Sequence, residues 1–381
     1  MLSVLQSVGY GTFSRPQKFW GEGINSIIKW DVILVETKIK VLIVDDSELV
    51  CNIFAKELAK DPELEIVGTA PDPIIARDMI GKLRPDVLLL DIEMPKMDGL
   101  TFLEQLMTYY PMPVIIVSSI AKEGSAAALR ATELGAAEVI AKPGPSYSVR
   151  EMTEQLIDKV KAVFRIKNIK PRNEIRISLP LMIRDKKQLK NSDKIIAVGA
   201  STGGIEAITS LLSKLPAEMP PILIVQHMPS HFTKIFAERL NSLCALEVKE
   251  AEDKEVLSSG KVLLAPGNKH MILKKGQSGY YVEVKAGPLV MHQRPSIEVL
   301  FRSVALYAGE NSIGVILTGA GKDGAEGLLD LKNAGAFTIG QDESSSLVYG
   351  ISKEAAAIGA VAKVVSLDEI PQAIIDALEE L

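Results

Sequence analysis

Short apolar runs alternate with helical segments along most of this chain, in two separate stretches. The first stretch opens at Lys38 with KVLIVDD (40–46), a short apolar run ending in acids, as in a buried parallel strand. Four similar runs follow, at 65–69, 86–90, 114–118 and 138–141. Helical segments are predicted at 47–58, 73–82, 98–109, 123–134 and 150–163. This alternation predicts a doubly wound five-stranded parallel sheet, with its site at the carboxyl ends of the strands.

A second alternation starts at Lys194 and continues to the C-terminus. Its strands are predicted at 194–199, 221–227, 261–265, 281–285, 312–318, 336–341 and 362–365. Its helices are predicted at 203–214, 230–242, 296–308, 324–334, 351–358 and 367–380. The fold class is therefore α/β in both halves, and the second half is expected to contain a mainly parallel sheet.

Length and composition exclude several classes of protein. A chain of 381 residues exceeds what one hydrophobic core usually organises, and its 47% apolar content argues against wholesale disorder. No run approaches the roughly 18 apolar residues of a membrane-spanning helix, and the start of the chain lacks a basic secretory signal. We therefore expect a cytoplasmic protein without membrane insertion. A net charge of -5 disfavours nucleic acid as a partner, and two cysteines are too few for a disulfide framework.

The chain is predicted to divide into four parts. Residues 1–37 show no sustained period and are expected to form a poorly ordered extension. The first α/β domain is placed at 38–160 and the second at 193–381. Between them, residues 161–192 are rich in lysine and arginine and poor in acids. That composition suits a basic linker, either a solvated tether or a strap that touches one or both domains.

Polar residues follow the predicted strands of the first domain. Asp45 and Asp46 come after the first strand and Asp91 after the third, so their carboxylates should meet at the switch point of the sheet. Clustered carboxylates repel one another unless a cation lies among them, and oxygen ligands favour a hard ion such as Mg²⁺. Ser118 ends the fourth strand and Lys142 follows the fifth. Together these groups are able to carry an acyl phosphate on Asp91.

This arrangement resembles the receiver domain of two-component response regulators, which has a flavodoxin-like fold. The resemblance implies that Asp91 is the phosphoacceptor and that a histidine kinase is the phosphodonor. It also implies that Asp45 and Asp46 bind Mg²⁺ with help from the Glu93 carbonyl, and that Ser118 and Lys142 sense the phosphoryl group. Many receivers carry an aromatic switch residue three positions before the lysine. Here that position is Val139, so an aromatic flip is not available as the signal.

In the second domain, KIIAVGASTGG (194–204) runs from a strand through a glycine turn into a helix. Gly199-x-Ser201-x-Gly203 fits the nucleophile elbow, in which a serine projects from a sharp turn. Backbone N–H groups near Thr202 and Gly203 would face an oxyanion. His227 is the best placed general base, because it ends the next apolar strand. His270 follows a Pro-Gly turn and is expected to line the cleft, whereas His231 and His292 have weaker settings.

Asp323, in GVILTGAGKDG (314–324), follows another apolar strand and is the candidate acid that orients the imidazole. The order Ser, His, Asp differs from the order Ser, acid, His of α/β-hydrolases. The same segment also fits a dinucleotide-binding fingerprint, Gly319-x-Gly321-x-x-Gly324, with Asp342 as a ribose acid. Against that alternative, Asp323 lies where a pyrophosphate would approach, and too few residues follow for a complete dinucleotide fold.

Four motifs, GASTGG, QHMP, APGNKHM and LTGAGKDG, occur in that order behind the receiver-like domain. This arrangement resembles the chemotaxis protein-glutamate methylesterases of the CheB family. The resemblance implies hydrolysis of glutamate methyl esters, and commonly deamidation of glutamines, on the cytoplasmic helices of methyl-accepting chemoreceptors. It assigns Ser201 as nucleophile, His227 as general base and acid, and Asp323 as orienting acid, with no cofactor in this domain. Ala320 stands where relatives often have methionine, and its backbone would help to bind the oxyanion.

A receiver on the same chain as a hydrolase is expected to control it. We predict that the unphosphorylated receiver packs against the catalytic cleft and limits access to Ser201, and that a phosphoryl group on Asp91 weakens this packing. The alternative from a different class is a phosphorylation-gated binding module whose hydrolase half is inactive. Labelling by a serine-directed probe distinguishes the two.

Overall fold

The structure is a computed structural model that describes residues 38–95, 97–118, 122–142, 149–166, 194–230 and 232–380. The predicted N-terminal extension and most of the predicted basic linker lie outside the described residues, as does His231. Within the described ranges, no helix is both long and apolar enough to cross a lipid bilayer.

The first half contains a five-stranded sheet in the order β2-β1-β3-β4-β5, with every pairing parallel. Its strands are β1 (Ile39–Val44), β2 (Leu64–Ala70), β3 (Val87–Asp91), β4 (Val114–Ser118) and β5 (Glu138–Ala141). Its helices are α1 (Glu48–Leu58), α2 (Pro73–Leu83), α3 (Gly99–Tyr109), α4 (Lys122–Glu133) and α5 (Val149–Phe164). All five side chains of β3 are buried, as expected for a central strand covered by helices on both faces. The predicted doubly wound fold is confirmed.

The second half contains a seven-stranded sheet in the order β15-β14-β13-β6-β7-β10-β8, in which all the pairings are parallel. Its strands are β6 (Ile195–Ala200), β7 (Ile222–Gln226), β8 (Glu247–Glu250), β10 (Lys261–Leu264), β13 (Ser312–Ile316), β14 (Phe337–Gln341) and β15 (Lys363–Val365). Its helices are α6 (Gly204–Lys214), α7 (Phe232–Leu243), α8 (Ile297–Tyr307), α9 (Ala325–Asn333), α10 (Ile351–Ala357) and α11 (Ile370–Glu380). β6, β7 and β13 are central, so their carboxyl ends lie side by side.

A three-stranded antiparallel sheet accompanies the parallel one. It has the order β11-β12-β9 and consists of β9 (Glu255–Val256), β11 (His270–Gly276) and β12 (Gly279–Lys285). The sequence analysis predicted β12 but missed β8, β9 and β11. β8 reads Glu-Val-Lys-Glu, an edge strand with one apolar residue. β11 buries Met271 and Leu273 and carries lysines at its distal end, which masks the alternation.

Candidate active site and phosphorylation pocket

The chain turns sharply at Ser201, between a buried strand and a helix. β6 ends at Ala200 and α6 begins at Gly204, and Gly203 between them has φ of 81°, a left-handed conformation that glycine adopts without strain. The Ser201 N–H donates to the Thr318 carbonyl at 3.0 Å, which ties the turn to the end of the neighbouring strand β13. The predicted strand–turn–helix setting of the serine is therefore present.

Three residues from separate elements form a hydrogen-bonded chain. His227 Nδ1 lies 3.0 Å from Ser201 Oγ, and His227 Nε2 lies 2.7 Å from Asp323 Oδ2. The residues are only 4%, 4% and 2% exposed for Ser201, His227 and Asp323, so bulk water does not compete for these bonds. In the chymotrypsin-type triad Nε2 faces the serine and Nδ1 faces the acid, whereas here the two nitrogens have exchanged positions. In either arrangement the acid accepts one N–H, which leaves the other nitrogen free to take the serine proton.

Asp323 is held by the first turn of α8. Its Oδ1 accepts a hydrogen bond from Ser296 Oγ at 2.7 Å and from the Glu298 N–H at 3.2 Å, and its Oδ2 accepts from the Ile297 N–H at 2.7 Å. A helix N-terminus offers unpaired N–H groups and a positive dipole end, both of which stabilise a carboxylate. The sequence pattern predicts a helix here but does not indicate its contact with Asp323. The available signal was Ser296, an N-cap residue before an apolar run.

Gln226 is a second residue of the site that the sequence analysis missed. Its side-chain Nε2 donates to the Ser201 carbonyl at 2.9 Å and to the His227 carbonyl at 3.2 Å. One buried amide thus ties the backbone of the serine turn to the backbone of the histidine. The only signal in the sequence was a polar residue at the end of an otherwise apolar strand.

The glycines of the dinucleotide-type fingerprint have other roles. A Cβ at Gly319 would lie 2.6 Å from the Cβ of Ser201, so only glycine lets this strand end approach the serine. Gly324 precedes α9 with φ of 94°, and a Cβ there would lie 2.4 Å from Ile297 Cγ2. Asp323 between them points at His227. Packing around the triad therefore explains the first and last glycines of the spacing that suggested a pyrophosphate loop.

The other residues predicted near the oxyanion have separate settings. Thr202 is fully buried, and its Oγ1 donates to Glu138 Oε2 of the first half at 2.7 Å. Ala320 is half-buried in the loop that follows β13. His270 bonds through Nε2 to the Pro288 carbonyl at 2.8 Å rather than to a triad residue, and its Nδ1 has no partner within the described residues.

The acidic residues of the first half meet at the carboxyl ends of its strands. Ligand oxygens of Asp45, Asp46 and Asp91 all lie within 4.8 Å of one another. Lys142 Nζ lies 2.7 Å from Asp91 Oδ2 and 3.0 Å from Asp45 Oδ2. Asp45 and Asp91 are buried, whereas Asp46 is exposed. The structure thus brings together four of the residues that the sequence analysis assigned to this pocket.

Burial and the contacts of Lys142 together set the electrostatics of the pocket. Desolvation raises the pKa of Asp91 to about 6, although the hydrogen bond and charge of Lys142 act in the opposite direction. Burial by itself lowers the pKa of Lys142, but its hydrogen bond to Asp91 and its ion pair with Asp45 outweigh burial and raise it. The pKa of Asp91 is therefore raised even with the Lys142 ammonium beside it.

The pocket fits a divalent cation. Asp45 Oδ2 is buried and, although Lys142 is close, it makes no hydrogen bond of acceptable geometry within the described chain. Three clustered carboxylates form the hard oxygen donor set that Mg²⁺ prefers. Glu93 follows Asp91 closely, and its N–H donates to Asp91 Oδ1 at 3.3 Å. Ser118 ends β4, and its side chain lies outside the described part of the structure.

A carboxylate pocket on one parallel sheet and a serine–histidine–aspartate chain on another define a response regulator with a hydrolase as its output domain. Comparison with known families agrees. Residues 41–154 match the response regulator receiver domain, and residues 196–374 match the CheB methylesterase family.

Relatives cover nearly the whole chain. The protein-glutamate methylesterase/protein-glutamine glutaminase 2 of Syntrophus aciditrophicus is 53% identical over 339 residues, which is 89% of this chain and 99% of the relative. The corresponding protein of Methylobacillus flagellatus is 49% identical over 87% of this chain and 95% of its own length. The crystal structure of the Thermotoga maritima CheB methylesterase catalytic domain is 36% identical, with a TM-score of 0.47 over 48% of this chain and 97% of that domain. The chain belongs to the CheB methylesterase family and carries a receiver domain, as the sequence motifs indicated.

Proposed function

We propose that this protein hydrolyses glutamate methyl esters, and deamidates glutamines, on the cytoplasmic helices of chemoreceptors. The observation that carries the proposal is the buried chain from Ser201 Oγ through His227 to Asp323. Its relatives are named for both activities. One serine mechanism serves both, because an ester and an amide pass through the same kind of tetrahedral oxyanion and acyl-enzyme.

The geometry supports the following sequence of steps. Asp323 accepts the Nε2–H of His227, so Nδ1 is free to take the proton of Ser201 Oγ as that oxygen attacks the glutamyl carbonyl carbon. The oxyanion faces N–H groups of the serine turn and the backbone near Ala320. His227 then protonates the leaving methoxide or amine, giving methanol or ammonia and a glutamyl-serine ester. Water, deprotonated by His227, hydrolyses that ester and returns Ser201 to its starting state.

We propose that Asp91 accepts a phosphoryl group from the chemotaxis histidine kinase. Asp45, Asp46 and Asp91, with the Glu93 carbonyl, would hold Mg²⁺, which supplies charge neutralisation for the incoming phosphoryl group. Lys142 already contacts Asp91 and is placed to pair with a phosphoryl oxygen instead. Ser118 would supply a hydroxyl donor from the end of β4.

We further propose that the unphosphorylated receiver restrains the catalytic half. Glu138, the first residue of β5, reaches Thr202 next to the nucleophile and is held on its other oxygen by Lys159 at 2.9 Å. β5 ends directly before Lys142, so one short strand connects the phosphorylation pocket to the serine turn. With Val139 buried at the interface instead of an aromatic switch, movement of β5 itself would be the signal.

Methanol release from methylated receptor cytoplasmic fragments tests the activity. We expect release by the phosphorylated full-length chain and none above background by its Ser201→Ala variant. Ammonia release from receptor fragments with glutamine at the same positions tests deamidation in parallel. If the parent releases neither product while a serine-directed probe still labels Ser201, the site is a hydrolase with another substrate and the proposal is wrong.

A further inference from the structure

A small cavity lies between the two halves, against the proposed base. The catalytic half lines it with His227, Met228, Pro229, Gln293 and Arg294. The receiver half lines it with β5 and with Met152, Gln155 and Lys159 of α5. Residues 152, 155 and 159 share one face of a helix, because positions three and four apart are neighbours. Helix α5 of the receiver half therefore lines a cavity that also contains the proposed base.

The turn at 290–293 contacts α5 through two side chains of that helix, a glutamine and a glutamate. Gln155 Nε2 donates to the His292 carbonyl at 2.7 Å, and Glu154 Oε2 lies 3.0 Å from His292 Nδ1. Under the proposed function, the substrate helix carries glutamate and glutamine side chains as well as glutamate methyl esters. The catalytic half therefore binds, within its own chain, a helix that shares the chemistry of its substrate.

The backbone of this turn is unusual. Met291 and His292 have φ of 48° and 62°, in the left-handed region that non-glycine residues seldom occupy. Val290 and Gln293 exchange two backbone hydrogen bonds of 2.9 and 3.1 Å, which close the turn. Such conformations persist where the surroundings enforce them, and they concentrate at binding and catalytic sites. The His292 carbonyl is not used in closing the turn and is the group that accepts from Gln155.

Arg294 is a positive charge with no ion-pair partner among the described residues. Its Nε donates to Asn268 Oδ1 at 2.7 Å and its Nη1 to the Gly287 carbonyl at 2.6 Å, so the guanidinium plane is fixed. No carboxylate of the described residues lies within ion-pair distance of it, although it is half-buried beside His227 in the cavity. A guanidinium fixed in this way is preorganised to bind an external carboxylate.

We propose that the turn 290–293 and Arg294 form the docking surface for the substrate helix. Arg294 binds an acidic side chain of that helix near the target residue, and α5 of the receiver occupies the same surface while the protein is unphosphorylated. This inference rests on the proposed function and identifies where its substrate is held. Arg294 is a specificity-determining residue in this account and takes no part in bond making or breaking.

Steady-state methanol release by the phosphorylated full-length chain tests the role of Arg294. Arg294→Ala should raise KM for methylated receptor fragments about tenfold while kcat stays within about twofold of the parent. Arg294→Lys should recover part of the loss, because it keeps the charge but not the bidentate geometry. Raising the salt concentration should raise the KM of the parent more than that of Arg294→Ala, since an ion pair is screened. Lys275→Ala, an exposed charge on β11, is the matched control and should keep the parent KM.

Binding measurements separate failure of this inference from failure of the proposed function. Receptor fragments should bind the Ser201→Ala chain about tenfold more tightly than the Ser201→Ala/Arg294→Ala chain, whether or not the parent turns over. An unchanged KM and unchanged binding in the Arg294 variants would overturn the docking surface. A fall in kcat at constant KM would overturn it too, because Arg294 would then act on Asp323 through Ser296, two residues along the chain.

Discussion

The two pockets of this protein handle buried charge in opposite ways. Asp323 accepts four hydrogen bonds, from the side chains of Ser296 and His227 and from two backbone N–H groups of α8. In the receiver pocket, burial raises the pKa of Asp91, and Asp45 keeps a buried oxygen without a hydrogen bond of acceptable geometry to the described chain. A catalytic site benefits from dipoles fixed in advance. A phosphorylation switch needs a site whose charge balance changes when a cation or a phosphoryl group binds.

Removing the nucleophile should have the largest effect on the catalytic rate. Ser201→Ala should lower kcat on the order of 10⁶-fold, as loss of a triad nucleophile does, and leave the fold intact because one oxygen is lost from a turn. His227→Gln should be similarly severe and Asp323→Ala milder, since nucleophile and base remain. Methanol release and thermal unfolding of the same preparations check this. Activity of Ser201→Ala near the parent level would remove the serine from the mechanism.

Removing the phosphoacceptor should abolish phosphorylation of the receiver without altering the triad. Asp91→Ala should abolish acyl-phosphate formation from a small phosphodonor, and chelating Mg²⁺ should do the same in the parent because the clustered carboxylates repel an incoming dianion. Radiolabel incorporation measures both. Labelling that persists in the variant would place the acceptor on another residue.

Loosening the support of Asp323 should have a smaller effect. Ser296→Ala removes one of four hydrogen bonds to the carboxylate, and the loss of a bond to a charged group, about 1.5–3 kcal/mol, corresponds to roughly a tenfold or greater fall in kcat. KM should stay near the parent value, because Ser296 does not face the proposed docking surface. Ser242→Ala, an exposed serine whose hydroxyl bonds a helix carbonyl, is the control and should match the parent. Equal rates for Ser296→Ala and the parent would show that the helix backbone alone positions Asp323.

Weakening the hydrogen-bonded contact between the receiver and the catalytic half should have the smallest effect on the rate. Glu138→Gln keeps the shape of the side chain but weakens its bonds to Thr202 and Lys159, so the unphosphorylated rate should rise a few-fold. The phosphorylated rate should not change, because that contact is already released. Glu104→Gln, an exposed change in the same domain, is the control and should leave both rates alone. A lower unphosphorylated rate would mean that Glu138 supports the active site instead of restraining it.

The parallel sheets could be predicted from the sequence because they depend on short-range patterns, and the same patterns indicated the residues proposed for both pockets. Apolar runs that end in Asp45, Asp91, Ser201 or His227 mark the carboxyl ends of buried strands, and parallel strands bring those ends together. The α/β fold and the family were correctly predicted on this basis. The misses have a common cause: β8 and β11 carry charged residues, so the apolar pattern is too weak to identify them.

Long-range hydrogen bonds account for what the sequence could not show. Ser296 looks like any N-cap serine, and Gln226 like any polar residue at a strand end, until the fold places them beside Asp323 and Ser201. The contact of Glu138 with Thr202 joins residues 64 positions apart across two domains. Nδ1 of His227 faces the serine and Nε2 faces the acid because of the direction from which the side chain approaches. The spacing of residues in the sequence does not indicate that direction.

The unphosphorylated receiver is proposed to restrain the triad by covering it. The most direct test compares demethylation rates of methylated receptor fragments by the unphosphorylated full-length chain and by a fragment that begins near residue 193. A tenfold difference in access requires only about 1.4 kcal/mol, and a tethered receiver at millimolar effective concentration supplies inhibition even through a weak interface. We expect the fragment to be faster, and phosphorylation to bring the full-length chain towards its rate. An equal or slower rate for the fragment would contradict restraint and leave the receiver as an activator or a docking device.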